Sequence, residues 1–327
     1  MSIVERAASR LGTPPASERP TVEEDDAAHQ SRPDLIERVG QTVHRAAVAP
    51  SAPADANSSY FSRAIDFRPA LAPSAAAPRI EIDSAVLRVR NFITPGGERS
   101  RISEEFRRIK RHVLANVLQS KRGASVNRVM ITSALPGDGK TFCSINLAMS
   151  LAMEMDRSVI LVDADTVKPN VLQSLGLENN LRGLMDLLAD PTLSLTDLVC
   201  DTNIDKLRIL PAGTLHPQST ELLASDAMKR LALALNDLHE DGIVIFDSPP
   251  LLVASEASAL ATHMSQILMV VAAGQTTESA VKDALQRIQG CEGTVGMVLN
   301  KKLTQSTDHA YYGYGYGGRG YGTGRAG

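Results

Sequence analysis

The chain has 327 residues, with 34 Lys and Arg against 37 Asp and Glu, and a formal net charge of −3. This balance excludes a protein whose main role is to coat nucleic acid or an anionic membrane, because such binding needs a strong excess of positive charge. Hydrophobic residues make up 43% and charged residues 22%, which is typical of a globular protein. Aromatic residues make up only 4%, and five of the six tyrosines lie after residue 310, where we expect no core.

Cysteine usage and the apolar stretches indicate a reduced, soluble, cytoplasmic protein. The three cysteines, Cys143, Cys200 and Cys291, are far apart and form no CxxC pair, so neither a disulfide framework nor a zinc site is expected. The N-terminus lacks the apolar core of a signal peptide. The apolar stretch from Ile267 to Ala273 is much shorter than the ~20 residues that span a bilayer. We therefore expect contact with a membrane only through a partner.

Composition divides the chain into four parts. Residues 1–80 are rich in Ala and Pro and predict a disordered extension, because they cannot bury enough apolar surface to order themselves. Residues 81–100 are expected to be a linker, 101–303 to form the folded domain, and 304–327 to form a Gly/Tyr-rich tail. The domain opens with an amphipathic helix whose apolar spacing starts at Ile102 and whose N-cap is predicted at Ser103.

After that helix the sequence alternates between apolar strands and helices. Strands are predicted in RVMITS, SVILVDAD, KLRILPAG, GIVIFDSPP, QILMVVAA and TVGMVLN. Helices are predicted at 140–153, 221–239, 256–262 and 277–289. Near-continuous Val/Ile/Leu strands separated by helices predict an α/β fold, a three-layer doubly wound domain around a mostly parallel sheet.

A phosphate-binding loop lies between the first predicted strand and its helix. Ala134 to Thr141 reads A-x-x-x-x-G-K-T, a P-loop with Ala in place of the first Gly. Gly137 and Gly139 permit the backbone conformations that let successive N–H groups wrap a phosphate chain. Lys140 can reach the β- and γ-phosphates, and the Thr141 hydroxyl can bind Mg²⁺. The loop predicts a nucleotide site of the P-loop NTPase type.

Three aspartates follow two of the buried strands. Asp163 and Asp165 end SVILVDAD, and Asp247 ends GIVIFDSPP. Ligands of open α/β sheets bind beyond the carboxyl ends of the strands, so we expect these carboxylates beside the P-loop. Carboxylates in that position hold Mg²⁺ in phosphoryl transfer. A single aspartate there could instead cap a helix or solvate a loop, and Asp165 is the residue to which this alternative applies most strongly.

From Ile102 onward the chain resembles the bacterial protein-tyrosine kinases, the P-loop autokinases of exopolysaccharide loci. The resemblance rests on ITSALPGDGKT, ILVDADTVKP and IVIFDSPP, supported by LPAGTLHPQSTELLAS, GMVLNK and the tyrosine-rich end. It implies an ATP- and Mg²⁺-dependent protein-tyrosine kinase that phosphorylates its own C-terminal tyrosines in trans and thereby regulates exopolysaccharide biosynthesis, polymerisation and export. The implied catalytic residues are Lys140, Asp163 and Asp165, with Asp163 positioning or deprotonating the incoming hydroxyl.

The resemblance also implies the ligand contacts. The residues expected to bind the nucleotide are Pro136, Gly137, Asp138, Gly139, Lys140, Thr141, Phe142 and Asn300, the last reading the adenine. The residues expected to hold Mg²⁺ are Thr141, Asp163 and Asp247. The expected phospho-acceptors are Tyr311, Tyr312, Tyr314, Tyr316 and Tyr321.

Assembly and partners follow from the same resemblance. A Glu-x-x-Arg-x-x-Arg motif drives ring assembly in the family, and two registers compete for it here: Glu104, Arg107 and Lys110, or Glu105, Arg108 and Arg111. A solvated basic helix face is the alternative for these charges. The implied partners are a separate transmembrane chain-length regulator (polysaccharide co-polymerase) whose cytosolic segment activates the kinase, and a counteracting tyrosine phosphatase. No nucleic acid is expected.

Two other functions remain open on the sequence. One is a positioning ATPase of the Min or chromosome-partition type. Those relatives carry a second lysine near the start of the P-loop, where this chain has Leu135. The other is a non-catalytic ATP-binding regulator of a polysaccharide co-polymerase.

Overall fold

A computed structural model of the chain describes residues 78–97, 100–119, 127–238 and 241–302. The N-terminal extension up to residue 77, which is expected to be disordered, lies outside the described residues. So does the whole 304–327 tail with its tyrosines. The strands are β1 Arg79–Ile80, β2 Arg128–Ser133, β3 Val159–Asp163, β4 Cys200–Thr202, β5 Leu207–Leu210, β6 Ile243–Asp247, β7 Gln266–Ala272 and β8 Thr294–Asn300.

Ten helices accompany these strands in the described part of the chain. They are α1 Ser84–Val89, α2 Arg101–Gln119, α3 Lys140–Ala152, α4 Val171–Ser174, α5 Leu184–Ala189, α6 Leu195–Leu198, α7 Ser219–Ala224, α8 Asp226–Asp237, α9 Ser255–Ala261 and α10 Glu278–Arg287. No helix in residues 78–97, 100–119, 127–238 or 241–302 is both long and apolar enough to cross a membrane.

The strands form one sheet in the order β1-β4-β5-β3-β6-β2-β7-β8. All neighbouring pairs are parallel except β4 and β5. Helices cover both faces, since one apolar cluster joins the sheet to α1–α4 and another joins it to α5–α10. The predicted three-layer, doubly wound fold is confirmed, and the central strands β3 and β6 are buried along their whole length.

The segment that was expected to link the extension to the domain contributes to the core. Leu87, Phe92 and Ile93 are buried. The backbone N–H of Ile93 donates to Oδ1 of Asn146 in α3 at 2.8 Å. The two residues of β1, which fall in the segment expected to be disordered, pair with β4. These apolar residues follow no helical or strand period over a useful length, so their burial was not visible in the sequence.

Two helix boundaries differ from the prediction. The helix α2 begins at Arg101, and Ser100 rather than Ser103 caps it, because the Ser100 hydroxyl accepts from the Ser103 N–H at 3.1 Å. The single helix expected over 221–239 is two helices, α7 and α8. Ser225 separates them with an extended backbone, and its hydroxyl accepts from the Met228 N–H as the N-cap of α8.

Candidate functional site

The P-loop connects the end of β2 to the start of α3 in the left-handed conformation that its glycines allow. Gly137 has φ 87° and Gly139 has φ 98°. A Cβ atom at Gly139 would lie only 2.1 Å from Nδ2 of Asn300. That Nδ2 donates to the backbone oxygen of Asp138 at 2.9 Å, so the carboxyl end of β8 packs directly on the loop. Glycine is therefore favoured at 139 by its backbone conformation, and a side chain there would also displace Asn300 from the loop.

The side chain of Asp138 braces the loop from inside. It is buried, with 4% of its surface exposed. Its Oδ2 accepts from the Leu135 N–H at 3.2 Å, and its Oδ1 accepts from the Thr276 hydroxyl at 2.6 Å. Thr276 Oγ1 also accepts from the Ala272 N–H at the end of β7. The carboxylate therefore shapes the loop. The contact with nucleotide that the sequence predicts for Asp138 is left to the backbone N–H of that residue.

Phe142 has its side chain in an aromatic group rather than at the loop. Its ring stacks on Phe92 with centroids 5.6 Å apart and meets the edge of Phe106 at 6.2 Å. The ring thus joins α3 to α2 and to the segment after α1. That Phe142 binds the nucleotide stays a prediction, and the position of its ring leaves this contact to its backbone N–H. Pro136 is exposed at the outer side of the loop.

Asp163 and Asp247 lie side by side at the carboxyl ends of β3 and β6, as the sequence predicted. The two residues pair in the parallel register of these strands. Both are fully buried. Asp247 accepts from the Thr141 hydroxyl at 2.7 Å through Oδ2 and from the Ser144 hydroxyl at 2.9 Å through Oδ1. The first turn of α3 is therefore joined to the end of β6 by two hydroxyl groups.

Backbone N–H groups surround the carboxylate of Asp163. Its Oδ2 accepts from Asn170 at 3.0 Å and from Val171 at 2.9 Å, and its Oδ1 accepts from Asp165 at 3.3 Å. This carboxylate organises the loop after β3 and receives the first N–H of α4. The alternative role for these aspartates, capping of a helix or loop, thus describes part of what Asp163 does.

Lys140 reaches across to the same group of carboxylates. Its Nζ lies 2.5 Å from Asp165 Oδ2, and the two side chains are 12% and 4% exposed. The other oxygen of Asp165 accepts from the Lys168 N–H at 2.9 Å. The structure therefore brings together every residue that was predicted to be catalytic.

The group holds three carboxylates and one ammonium, and its electrostatics reflect that excess of negative charge. Burial, followed by the charge of Asp247, raises the pKa of Asp163 to about 7. Burial also raises the pKa of Asp247, although the charge of Lys140 opposes the rise. Burial lowers the pKa of Lys140, but the charges of Asp247 and Asp165 outweigh it, so the net shift of that pKa is upward.

This environment fits a divalent cation with oxygen ligands. The oxygens at hand, those of Thr141, Ser144 and Asp247, are the hard donors that Mg²⁺ prefers. No group of three or more His, Cys, Asp or Glu side chains that could hold a metal occurs in the described residues. Mg²⁺ in nucleotide sites commonly takes one or two protein ligands and completes its shell with phosphates and water, so the two observations agree.

The burial of side chains along the basic helix α2 distinguishes the two candidate assembly registers. Lys110 is buried, donates to the Ser150 backbone oxygen at 3.1 Å and pairs with Glu154. It therefore ties α2 to α3, and its predicted place in a surface motif is corrected. Glu104 and Arg107 pair with each other at 3.1 Å.

The second register lies on the exposed side of the same helix. Glu105, Arg108 and Arg111 are exposed. Glu105 accepts from Arg101 at 2.8 Å within the helix. Of the two sets of letters, this is the one whose three side chains all face outward, and ring assembly through it stays a prediction.

Sequence reasoning missed Ser144 and Thr276. Ser144 lies one turn after Lys140 and three residues after Thr141, so helical spacing could have placed its hydroxyl beside Asp247. Thr276 carried no such signal, because it is far from the P-loop in sequence and follows a different strand.

Comparison with known proteins identifies relatives of the chain and of its fold. Residues 127–304 match the family model described as "AAA domain". The chain is 34% identical over 226 residues to the tyrosine-protein kinase YwqD of Bacillus subtilis, which covers 68% of this chain and 92% of that protein. It is 32% identical over 220 residues to the putative tyrosine-protein kinase CapB of Staphylococcus aureus, covering 66% of this chain and 92% of that protein.

Among solved structures, the fold is similar to the kinase domain of the Escherichia coli tyrosine kinase ETK. The match has a TM-score of 0.54 and 28% sequence identity, and it covers 63% of this chain and 78% of that one.

Proposed function

The chain belongs to the bacterial protein-tyrosine kinases, and we propose from this premise that its site transfers the γ-phosphate of Mg-ATP to tyrosines in the C-terminal tail of a neighbouring copy. The observation that carries the proposal is the convergence of Lys140 with Asp163, Asp165 and Asp247 at the mouth of the P-loop. A P-loop alone would support nucleotide binding of any kind, whereas this set of groups supports phosphoryl transfer.

The proposed binding steps use backbone and side-chain donors of the loop. The N–H groups from Gly137 to Phe142 surround the β- and γ-phosphates, at the positive end of α3. Lys140, whose raised pKa keeps it charged, exchanges its contact with Asp165 for phosphate oxygens. The Thr141 hydroxyl and the Asp247 carboxylate, which are hydrogen-bonded to each other, would hold Mg²⁺. When bound, the metal would neutralise part of the phosphate charge.

The proposed chemistry needs a group that accepts the tyrosine proton. Asp163 has a pKa raised to about 7, so it is a stronger base than an ordinary aspartate and can take that proton at physiological pH. The oxygen of the incoming phenol then forms a bond to the γ-phosphorus while the bond to the leaving ADP oxygen breaks. Positioning and charge stabilisation account for the rest of the rate enhancement, since the protein forms no covalent bond itself.

The adenine is proposed to lie near Asn300. The side-chain carbonyl oxygen of Asn300 can accept from the exocyclic amine of the base while its Nδ2 donates to the backbone oxygen of Asp138. The contact to the P-loop supports the location of the base, because it puts the side chain at the end of β8 next to the phosphate loop.

The larger setting of the reaction is proposed from the family. The acceptors are Tyr311, Tyr312, Tyr314, Tyr316 and Tyr321. The copies are proposed to assemble as a ring, with Glu105, Arg108 and Arg111 as contacts, and to associate with the membrane through a separate transmembrane polysaccharide co-polymerase that activates the kinase. The modified tail would regulate exopolysaccharide synthesis, and a tyrosine phosphatase would reverse it. Each phosphate adds about −1.5 to −2 charges, which gives the switch its electrostatic effect.

A mixing experiment tests whether phosphate is transferred to tail tyrosines and whether the transfer runs between copies. Full-length Lys140→Met protein has an intact tail and a disabled site, whereas protein truncated after Asp308 has an intact site and no tail tyrosines. We expect phosphotyrosine on the Lys140→Met protein only when both are incubated with Mg-ATP. Lys282→Met, at an exposed lysine of α10, is the matched control and should retain full autophosphorylation.

The other outcomes identify a different function. Phosphate release from ATP without phosphotyrosine, from wild-type protein supplied with the cytosolic segment of its co-polymerase, would refute the kinase proposal and favour a positioning ATPase. Nucleotide binding without either product under the same conditions would favour a non-catalytic regulator.

A further inference from the structure

The last strand of the sheet, β8, is an edge strand. Among the described residues it pairs only with β7. The outer N–H and C=O groups of its seven residues therefore have no neighbouring strand in that part of the chain. Such an edge is a template for another extended segment, and proteins usually shorten it, charge it or cover it. Here it is neither short nor charged.

An apolar stripe runs along one face of this edge. Val295, Met297 and Leu299, which we call the β8 stripe, are 41%, 58% and 51% exposed. They continue the face of β7 on which Ile267 and Met269 are fully buried beneath α10. The helix covers β7 and leaves the stripe open. Three large apolar side chains in a row on an uncovered edge indicate a docking surface.

We propose that residues 311–317 of the chain's own tail dock on β8 as an antiparallel strand. The sequence YYGYGYG in this segment has the same length as β8, seven residues. Tyr312, Tyr314 and Tyr316 alternate with glycine, so in an extended conformation all three rings lie on one face. The chain leaves β8 at Asn300 and reaches this segment after the short connection 301–310, which makes it the occupant with the highest local concentration.

One pairing register of the tail with β8 places suitable residues on both faces of the sheet edge. With residues 301–310 as the connection, each ring lies opposite a residue of the β8 stripe: Tyr312 opposite Leu299, Tyr314 opposite Met297, and Tyr316 opposite Val295. Aromatic rings across from aliphatic side chains are stabilising cross-strand pairs. On the other face, the tail glycines lie opposite Gly296 and Val298, where α2 and β7 already crowd the sheet.

Charge favours the same occupant. The segment from Tyr311 to Gly318 contains no charged residue, in agreement with the uncharged stripe. A phosphate on any of the three docked tyrosines would bring about −1.5 to −2 charges onto apolar side chains, so it would release the strand. This last step rests on the proposed kinase function. The docking itself does not, because it concerns the unmodified tail.

Amide hydrogen exchange of phosphatase-treated, full-length protein tests the docking. We expect residues 311–317 and β8 to exchange at least about tenfold more slowly than in the Met297→Lys variant, which puts a charge in the middle of the stripe. Met155→Lys is the matched control, because Met155 is 87% exposed and lies in the turn before β3, a central strand that does not adjoin β8. It should leave the protection of the tail unchanged.

Variants of the tail keep the test independent of the folded domain. Replacing Tyr312, Tyr314 and Tyr316 by Ser should abolish the protection of the β8 N–H groups that point away from β7, whereas replacing Tyr311 and Tyr321 by Ser should preserve it. Exchange of residues 311–317 at the rate of an unstructured peptide in the wild type would overturn the proposal. So would protection that disappears on dilution, since it would identify a second copy as the occupant. Amide exchange does not depend on phosphate transfer, so failure of the kinase proposal gives a separate result.

Discussion

Thr276 donates a 2.6 Å hydrogen bond from its hydroxyl to Oδ1 of Asp138, so the turn after β7 holds the inner carboxylate of the P-loop. Asn300 at the end of β8 holds the backbone oxygen of the same residue. Two neighbouring strand ends, both far from the P-loop in sequence, thus converge on one loop residue and fix the shape of the phosphate cradle before nucleotide arrives.

Thr276→Val should weaken nucleotide binding without unfolding the protein. The substitution keeps the side-chain volume but leaves a buried carboxylate oxygen without its donor, at a cost of roughly 1 kcal/mol or more. We expect ADP to bind about fivefold more weakly by calorimetry. Thr262→Val, at an exposed threonine whose hydroxyl bonds only within its own turn, should bind ADP like the wild type. Equal affinities for the two variants would contradict a bracing role for Thr276.

The sequence predicts the residues at the chemical centre of this site better than the residues that hold them in place. The P-loop letters and the strand-end positions of Asp163 and Asp247 locate the centre, because parallel strands bring their carboxyl ends to one edge. Thr276 supports the same loop from a distant turn, and no local spacing links it to Asp138. The burial of Lys110 is another case: its letter fits a charged surface motif, but only packing of α2 on α3 decides which way it faces.

Ser144→Ala should destabilise the nucleotide-free protein. The Ser144 hydroxyl is one of two that donate to the fully buried Asp247, and hydrogen bonds to charged groups contribute roughly 1.5–3 kcal/mol. We expect the free energy of unfolding to fall by about 2 kcal/mol in urea denaturation. The exposed Ser279→Ala substitution in α10 is the control. A loss no larger than in that control would mean that water replaces the hydroxyl at Asp247.

Gly183→Ala should be more damaging than a glycine substitution at a strained but open position. A Cβ at Gly183 would lie 1.9 Å from the backbone oxygen of Pro211, which also accepts from the Leu184 N–H. The clash involves backbone on both sides, so we expect a loss of more than about 3 kcal/mol, beyond most single substitutions. Gly290→Ala, where φ is 98° but no atom lies within 4 Å, should lose about 1 kcal/mol. Thermal unfolding compares the two, and a reversed order would contradict the packing.

His263 should make the folded state sensitive to acid. Its Nε2–H donates to the Leu223 backbone oxygen at 3.0 Å, and burial lowers its pKa below the ordinary 6.5. Below pH 6.5 the unfolded chain binds a proton that the folded chain still excludes, so stability is present above that pH and is lost as pH falls toward the folded pKa. The Tm of the wild type should therefore fall further than that of His263→Gln between about pH 7.5 and about pH 5.5.

The exposed His112→Gln substitution in α2 serves as the control for that comparison. It should reproduce the wild-type dependence of Tm on pH. If His263→Gln also reproduces it, the buried imidazole contributes nothing to acid sensitivity.

In the proposed binding mode of Lys140, its contact with Asp165 makes nucleotide binding an exchange of partners rather than a simple addition. Any phosphate that recruits the lysine must first separate a buried ion pair, and the aspartate that is left behind then repels the arriving anion. This exchange lowers the affinity for nucleotide below that of a site with a free lysine. Once the terminal phosphate has been transferred, the lysine has its former partner within reach, and the spent nucleotide competes with it. A site arranged in this way favours turnover over tight retention of its product.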